Sequence, residues 1–351
     1  MNRRFLQSEF LPGITHFFVD LICTALLAQL TVRLSYTQVI ACAILYNCLA
    51  FAFQLPVGLI ADLLHSTAVV AAIGCILVAT GGFFPHPLVM CLLIGLGNAC
   101  FHVGAGREIL QKSNGKAASV GRFVAPGALG IFFGPRLTTY SPITGTVILL
   151  LLGGTLLLRS KASVVTAPTP IDFRRVLMAV CMFLTVLLRS YIGTLLRYPF
   201  LSTFGWALTF SLCIFGGKFL GGILADRFGA LRSSLLTQLG ASVLLVLSIF
   251  FPILALPGVL LFNTTMAVTA TALYQGFPRF PGTMFGLTTL ALFLGVLPRL
   301  LNWENTLFTW WGLGFLCLLS TALFAGGLIL AKRRDGNAPL AGTFTGSDAA
   351  S

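Results

Sequence analysis

The sequence predicts an all-α membrane protein of about twelve transmembrane helices arranged in two pseudo-repeated six-helix halves. Of its 351 residues, 57% are hydrophobic and only 9% are charged, and the mean hydropathy is +0.96. Soluble domains carry about 25% charged residues, so this chain has too few polar side chains to cover a soluble globule. Two further observations support the prediction: the apolar residues form a series of long runs, and one short segment occurs twice.

The apolar runs are long enough to cross a bilayer, which takes about 20 residues at about 1.5 Å per residue. A polar stretch, 159–175, has basic residues at both ends and is predicted to be a cytoplasmic linker. It separates an N-terminal half, 1–158, from a C-terminal half, 176–334, and 335–351 is predicted to be a disordered tail. The predicted spans are 13–33, 38–63, 67–85, 87–108, 117–136, 140–158, 176–197, 205–226, 233–252, 256–276, 281–299 and 307–331.

Basic residues are distributed unequally between the two sides of this layout. Sixteen Lys and Arg residues fall on the side of the chain termini and four on the other side. Cytoplasmic loops carry such an excess, so both termini are predicted to be cytoplasmic, in a multi-pass protein of the plasma (inner) membrane. The net charge of +13 is dispersed and forms no basic face, which argues against nucleic-acid binding. The nine cysteines include no CxxC pair, so neither a zinc site nor a disulfide framework is predicted.

An internal repeat supports the division into halves. Residues 58–62 read GLIAD and residues 222–226 read GILAD, an offset of 164 residues. The same offset carries the first predicted span onto the seventh and the sixth onto the twelfth. A parallel duplication accounts for these matches.

The second copy, GGKFLGGILADRFGALR at 216–232, resembles the signature loop of the major facilitator superfamily, G-x-x-x-D-R-x-G. The first copy keeps the Gly and the Asp but has Leu63, Leu64 and His65 in place of the basic turn, so a charge latch is not predicted there. The resemblance implies a conformational motif comprising Gly58, Asp62, Gly222, Asp226, Arg227, Gly229 and Arg232.

Further segments resemble the fosmidomycin-resistance-like efflux branch of that superfamily: HFFVD (16–20), GLGNACFHVGAGREI (95–109), LRSYIG (188–193) and PGTMFGLTTLALFLG (281–295). GALGIFFGP (127–135) resembles the fifth-helix motif of the superfamily's exporters, although a simple packing face explains it equally well. The resemblance implies the major facilitator fold and efflux of a drug or other small solute by proton antiport.

Ionisable groups at membrane depth are costly and are candidates for function. His16 and Asp20 are four residues apart on the first span, and Asn98 and His102 are four apart on the fourth, so each pair shares a helix face. The sequence predicts a proton-coupling site formed by Asp20, His16 and His102. A structural hydrogen-bond network and a divalent-metal site made by these side chains are the alternatives.

Other polar residues at membrane depth are predicted to bind substrate. Arg189 lies about 20 Å from the cytoplasmic end of the seventh span, and its guanidinium suits a carboxylate, phosphate or phosphonate. Pairing between Arg189 and Asp20 is the alternative. The predicted substrate-binding residues are Arg189, Asn98, Tyr46, Asn47, Asn263, Tyr274 and Lys218.

These features predict a secondary active transporter for a small polar or anionic solute or drug, working by alternating access. Its expected partners are the small-molecule substrate, protons and the lipid bilayer, and a monomer is expected. No HExxH, GxSxG or nucleotide-binding loop occurs, so an enzyme is not predicted, nor is any cofactor or resident metal. A divalent-metal transporter and a non-transporting membrane sensor are the alternative functions.

Overall fold

The computed structural model describes residues 3–64, 67–137, 140–159, 171–301, 303 and 307–332. Most of the predicted linker (160–170), the predicted tail (335–351) and His65 lie outside these residues. The described chain is helical, with fourteen α-helices: α1 Arg3–Arg33, α2 Tyr36–Asn47, α3 Gln54–Leu64, α4 Ala68–Gly81, α5 Pro87–Lys112, α6 Ala117–Phe133, α7 Pro142–Arg159, α8 Phe173–Leu195, α9 Phe204–Phe228, α10 Ala230–Leu247, α11 Ala255–Phe262, α12 Thr265–Gly276, α13 Pro281–Leu300 and α14 Trp310–Lys332.

These helices form the predicted spans. Among the described residues, ten helical stretches are long and apolar enough to cross a membrane, and two shorter apolar helices, Ala68–Gly81 and Pro142–Leu158, occupy the third and sixth positions. Two spans are internally broken: a π-helical turn, Cys48–Ala52, joins α2 to α3, and Asn263 and Thr264 separate α11 from α12. The prediction of an all-α, multi-pass membrane protein is therefore confirmed.

Successive spans alternate in direction, so α1 begins and α14 ends on one side of the bundle, called the terminal face below. At this face the end of α3 docks onto the start of α13. Asp62 accepts hydrogen bonds from the Gly282 amide (3.0 Å) and from the amide and hydroxyl of Thr283 (both 2.8 Å). Gly58 lies against the Gly282 backbone with no space for a Cβ atom. The first copy of the repeat therefore binds the N-terminus of a helix in the opposite half.

The second copy makes the corresponding contact at the end of α9. The two carboxylate oxygens of Asp226 accept hydrogen bonds from the amides of Ala117 and Ala118, both at 2.9 Å, at the N-terminus of α6. Gly222 packs directly on Ala117. The offset of 164 residues also relates Ala118 to Gly282, so the two docking contacts are related by the internal duplication.

The first copy of the motif lacks the basic turn but contains a charge pair. Asp62 pairs with Arg107 of α5, whose Nε lies 2.8 Å from the carboxylate. Arg107 lies near the end of the predicted fourth span, 87–108, and only 2% of its surface is exposed. A buried arginine needs such a partner. In the second copy, Arg227 and Arg232 are exposed, and Gly229 makes the turn with a φ of 88°.

Candidate functional site

Two histidines and one aspartate meet inside the N-terminal half. The Nε2 atoms of His16 on α1 and His102 on α5 are 2.8 Å apart. The Asp20 carboxylate lies 3.1 Å from Nε2 of His16 and 3.7 Å from Nε2 of His102. All three side chains are buried. The structure thus brings together the three predicted proton-coupling residues.

Helix geometry explains this meeting. Residues four apart lie on one helix face, so α1 presents His16 and Asp20 together, and α5 presents Asn98 and His102 together. The third wall is α6, where a Cβ atom on Gly127 would lie 2.6 Å from the Asp20 carboxylate and closer still to His16. Glycine at 127 is therefore required for α6 to approach the cluster. Sequence reasoning assigned Gly127 only to a packing or exporter motif.

Hydrogen bonds fix which ring nitrogens carry protons. Nδ1 of His16 is 2.8 Å from the carbonyl oxygen of Phe123, and Nδ1 of His102 is 2.9 Å from that of Asn98. A carbonyl oxygen can only accept, so both Nδ1 atoms donate. In neutral imidazoles both Nε2 atoms would then carry lone pairs. A proton added to either ring would allow a hydrogen bond across this 2.8 Å contact and would make that ring an imidazolium beside the Asp20 carboxylate.

Asn98 and Tyr46 extend the cluster toward α2. The Asn98 side-chain amide donates to Asp20 (3.1 Å) and lies 3.3 Å from the Tyr46 hydroxyl. Cys23 is 3.9 Å from the same amide nitrogen. Asn98 and Tyr46 were predicted as substrate-binding residues; here Asn98 donates to Asp20, and Tyr46 accepts from Asn98. Cys23 was not predicted, because a cysteine in an apolar run looks like ordinary core.

Arg189 on α8 is buried and separate from this cluster. Its guanidinium lies 5.6 Å from the ring centroid of Phe262, and Nη2 is 3.9 Å from Sδ of Met266. Its Nε and Nη1 have no hydrogen-bond partner among the described residues, and it forms no ion pair with any of them. The alternative of an Arg189–Asp20 pair is therefore wrong in this conformation.

Lys218 on α9 interacts electrostatically with both the histidine cluster and Arg189. It is close enough to both Asp20 and Arg189 for their charges to act on its ammonium group, and its own charge acts on His102. It is half-buried and forms no ion pair with any described carboxylate. Asp20 is the single acidic member, and with one shared proton its cluster is neutral. Arg189 and Lys218 therefore give the centre of the molecule a net positive charge.

Three predicted substrate-binding residues lie elsewhere. The side-chain amides of Asn47 and Asn263 donate to carbonyl oxygens one turn back in their own helices, those of Ala43 and Val259, both at 2.8 Å. Each of these asparagines adjoins one of the two helix breaks. Tyr274 lies two residues from the terminal-face end of α12, near Arg107. None of the three joins the histidine cluster or contacts Arg189.

Neither a protein-family profile nor a curated protein sequence matches the chain. Among solved structures, it is similar to the E. coli fucose:proton symporter FucP, with a TM-score of 0.62 at 13% identity, covering 93% of this chain and 98% of that one. A second FucP structure, described as a Major Facilitator Superfamily transporter in the outward conformation, gives a TM-score of 0.58 at 14% identity, covering 92% and 98%. A bacterial homologue of the iron transporter ferroportin, in an outward-facing state, gives 0.58 at 15% identity with the same coverages. At these identities the similarity shows the fold, and the chain therefore has the major facilitator fold.

Proposed function

We propose that the protein is a proton-coupled secondary transporter for a small anionic solute. One observation carries this proposal: two buried imidazoles, each committed at Nδ1 to a backbone carbonyl, face each other through Nε2 at 2.8 Å beside Asp20. A proton shared between the two rings would stabilise this pair. Imidazole rings can bind and release a proton, so the cluster is suited to take up and release a proton in each transport cycle.

Loss of the shared proton changes the forces within the cluster. The lone pairs of His16 and His102 would then repel each other, and Asp20 would lose its imidazolium partner. This repulsion is relieved only if the two rings separate, which changes the packing of α1 against α5. Proton occupancy is in this way linked to helix packing, as transport by alternating access requires.

The positive charges of Arg189 and Lys218 favour an anionic substrate. An arginine at membrane depth is costly unless it has a counter-charge, and Nε and Nη1 of Arg189 lack partners among the described residues. A carboxylate, phosphate or phosphonate can accept two parallel hydrogen bonds from one guanidinium. Lys218 supplies a second positive charge nearby. The resemblance to the efflux branch implies export in exchange for protons, whereas the positive charge of this site favours binding of proton and anion together, so the coupling proposed here is cotransport.

Flux measurements in proteoliposomes test the substrate class. A panel of small carboxylates, phosphonates and organic cations would be assayed with and without a pH gradient. We expect the wild type to move at least one of the anions in a gradient-dependent manner and Arg189→Gln to lose that flux. Arg33→Gln, an exposed arginine at the end of α1, is the matched control and should transport normally. Gradient-independent flux in the wild type would refute proton coupling.

Divalent-metal transport is the second candidate function. The ligand atoms of His16, Asp20 and His102 lie within 4.8 Å of one another, and both histidines are oriented by backbone carbonyls, as metal-binding histidines commonly are. Against it, nitrogen ligands about 2.0–2.1 Å from a tetrahedral zinc ion stand roughly 3.3 Å apart, farther than the 2.8 Å seen here. Buried Arg189 would also repel a cation.

Thermal stability distinguishes the two candidates. Purified protein would be melted with Mn²⁺, Co²⁺ or Zn²⁺ and, separately, with the anion panel. Stabilisation by a divalent ion that disappears in both His16→Ala and His102→Ala would favour the metal transporter. Stabilisation by an anion that disappears in Arg189→Gln but not in Arg33→Gln would favour the proposed anion transporter.

A further inference from the structure

A cavity of about 1020 Å³ opens at the terminal face of the C-terminal half. Its walls come from the starts of α8 and α10 and the ends of α9, α12 and α14, and the start of α6 closes one side. None of His16, Asp20, His102, Arg189 and Lys218 lines it. The cavity is thus separate from the proposed transport site.

Cationic side chains predominate around this cavity. Four basic residues line it: Arg174, Arg175, Arg232 and Lys332. Nη2 of Arg174 is buried without a hydrogen-bond partner among the described residues. Arg232 is exposed and forms no ion pair with the described carboxylates. The cavity therefore offers several N–H donors to an anion.

The two carboxylates in the wall are fewer than the four basic residues, and each is bound to a helix start. Asp172 accepts a hydrogen bond from the Arg175 backbone amide at 2.8 Å, which caps α8. Asp226 caps α6 through the amides of Ala117 and Ala118. Carboxylates in this position interact with the positive end of the helix dipole. The cavity consequently keeps an excess of positive charge.

The inner wall of the cavity is apolar. Met178, Val268 and Leu328 line it, and all three are largely buried. A purely inorganic anion would use only the basic rim, whereas an amphipathic anion would use both surfaces. Basic pockets between membrane helices bind the phosphate groups of lipids in this way.

We propose that this cavity is a binding site for a phosphate-bearing anion, with its phosphate among Arg174, Arg232 and Lys332. The phosphate can come from an anionic phospholipid headgroup or from a soluble phosphate. Because Ala117 belongs to the N-terminal half and Asp226 to the C-terminal half, the wall is complete only while the two halves are docked at the terminal face. The ligand therefore favours the conformation in which this face is closed.

Lipid retention and melting experiments on the purified full-length protein test this site. Native mass spectrometry would count the lipids kept after exposure to phosphatidylcholine alone or mixed with phosphatidylglycerol, and melting would be followed against inorganic phosphate. We expect preferential retention of phosphatidylglycerol, saturable stabilisation by phosphate, or both. Affinity should fall roughly fivefold for each arginine removed in Arg174→Gln and Arg232→Gln. Stabilisation by phosphate without lipid preference identifies a soluble ligand, and the reverse identifies a lipid.

Arg299→Gln is the control, because Arg299 is exposed at the end of α13, away from the terminal face. Arg232 is also exposed, so Arg232→Gln should fold even if Arg174→Gln does not. In that case Arg232→Gln alone tests the site. The proposal is overturned if the wild type shows neither lipid preference nor saturable stabilisation by phosphate. It is also overturned if Arg299→Gln loses as much affinity as Arg232→Gln.

Discussion

The histidine cluster can form only because residue 127 is a glycine and has no Cβ atom. A Cβ atom at Gly127 would lie 2.6 Å from the Asp20 carboxylate and would also overlap His16. We expect Gly127→Ala to lower the stability of the folded protein by about 1–3 kcal/mol, the usual cost of overpacking a filled interior. This cost outweighs the gain in helix propensity of about 1 kcal/mol. The melting temperature of the purified protein measures the effect.

Gly154→Ala provides the matched control for this substitution. Gly154 also lies within a membrane helix, α7, but a Cβ atom there would meet nothing within 4 Å. The control should be neutral or slightly more stable than the wild type. If Gly127→Ala melted at the same temperature as Gly154→Ala, the contact between α6 and the cluster would not exist as described.

The two aspartates that dock helix ends onto the opposite half have the same geometry but different surroundings. Asp62 is buried and neutralises buried Arg107, whereas Asp226 is exposed and binds only backbone amides through its two oxygens. Removing one partner of a buried ion pair costs about 3–5 kcal/mol. Weakening a helix cap costs about 1 kcal/mol.

Asp62→Asn should therefore destabilise the protein far more than Asp226→Asn, as measured by the melting temperature of each variant. The excess is attributed to the unpaired charge of Arg107, so the double variant Asp62→Asn with Arg107→Met should recover part of the lost stability. Equal losses in the two single variants, or no recovery in the double variant, would show that the ion pair contributes little.

The sequence best predicts those structural features that a single physical effect determines. In lipid, the backbone N–H and C=O groups must hydrogen-bond within the protein, which requires long apolar helices. Hydropathy alone therefore located the spans. The convergence of His16 with His102 was also predictable, because it depends on four-residue spacing and depth. Tyr46 and Asn47 show the limit: the two are adjacent, yet Tyr46 reaches Asn98 and Asn47 bonds its own helix. The burial of Arg107 likewise depends on side-chain packing that no local pattern encodes.

The two halves have different side chains at equivalent positions. The offset of 164 residues relates Asn98 and His102 to Phe262 and Met266, the two residues that face Arg189. Equivalent positions thus belong to the proposed proton site in one half and surround the guanidinium of Arg189 in the other. Lys218, in the C-terminal half, lies within electrostatic range of both. In the proposed mechanism, proton and anion would therefore bind on opposite sides of the interface between the halves.

The closeness of the proposed proton site to the positive charges of Arg189 and Lys218 predicts that protonation changes the affinity for the anion. A proton added to the His16–His102–Asp20 cluster makes the centre more positive, so it should strengthen anion binding. A Coulomb energy on the order of 1 kcal/mol corresponds to a gain in affinity of roughly fivefold. We expect the affinity for a transported anion whose own charge is constant to rise as the pH falls. His102→Gln should flatten this dependence, and His86→Gln, at an exposed position, should not. An affinity that fell on acidification would mean that proton and substrate compete, as the antiport implied by the resemblance requires.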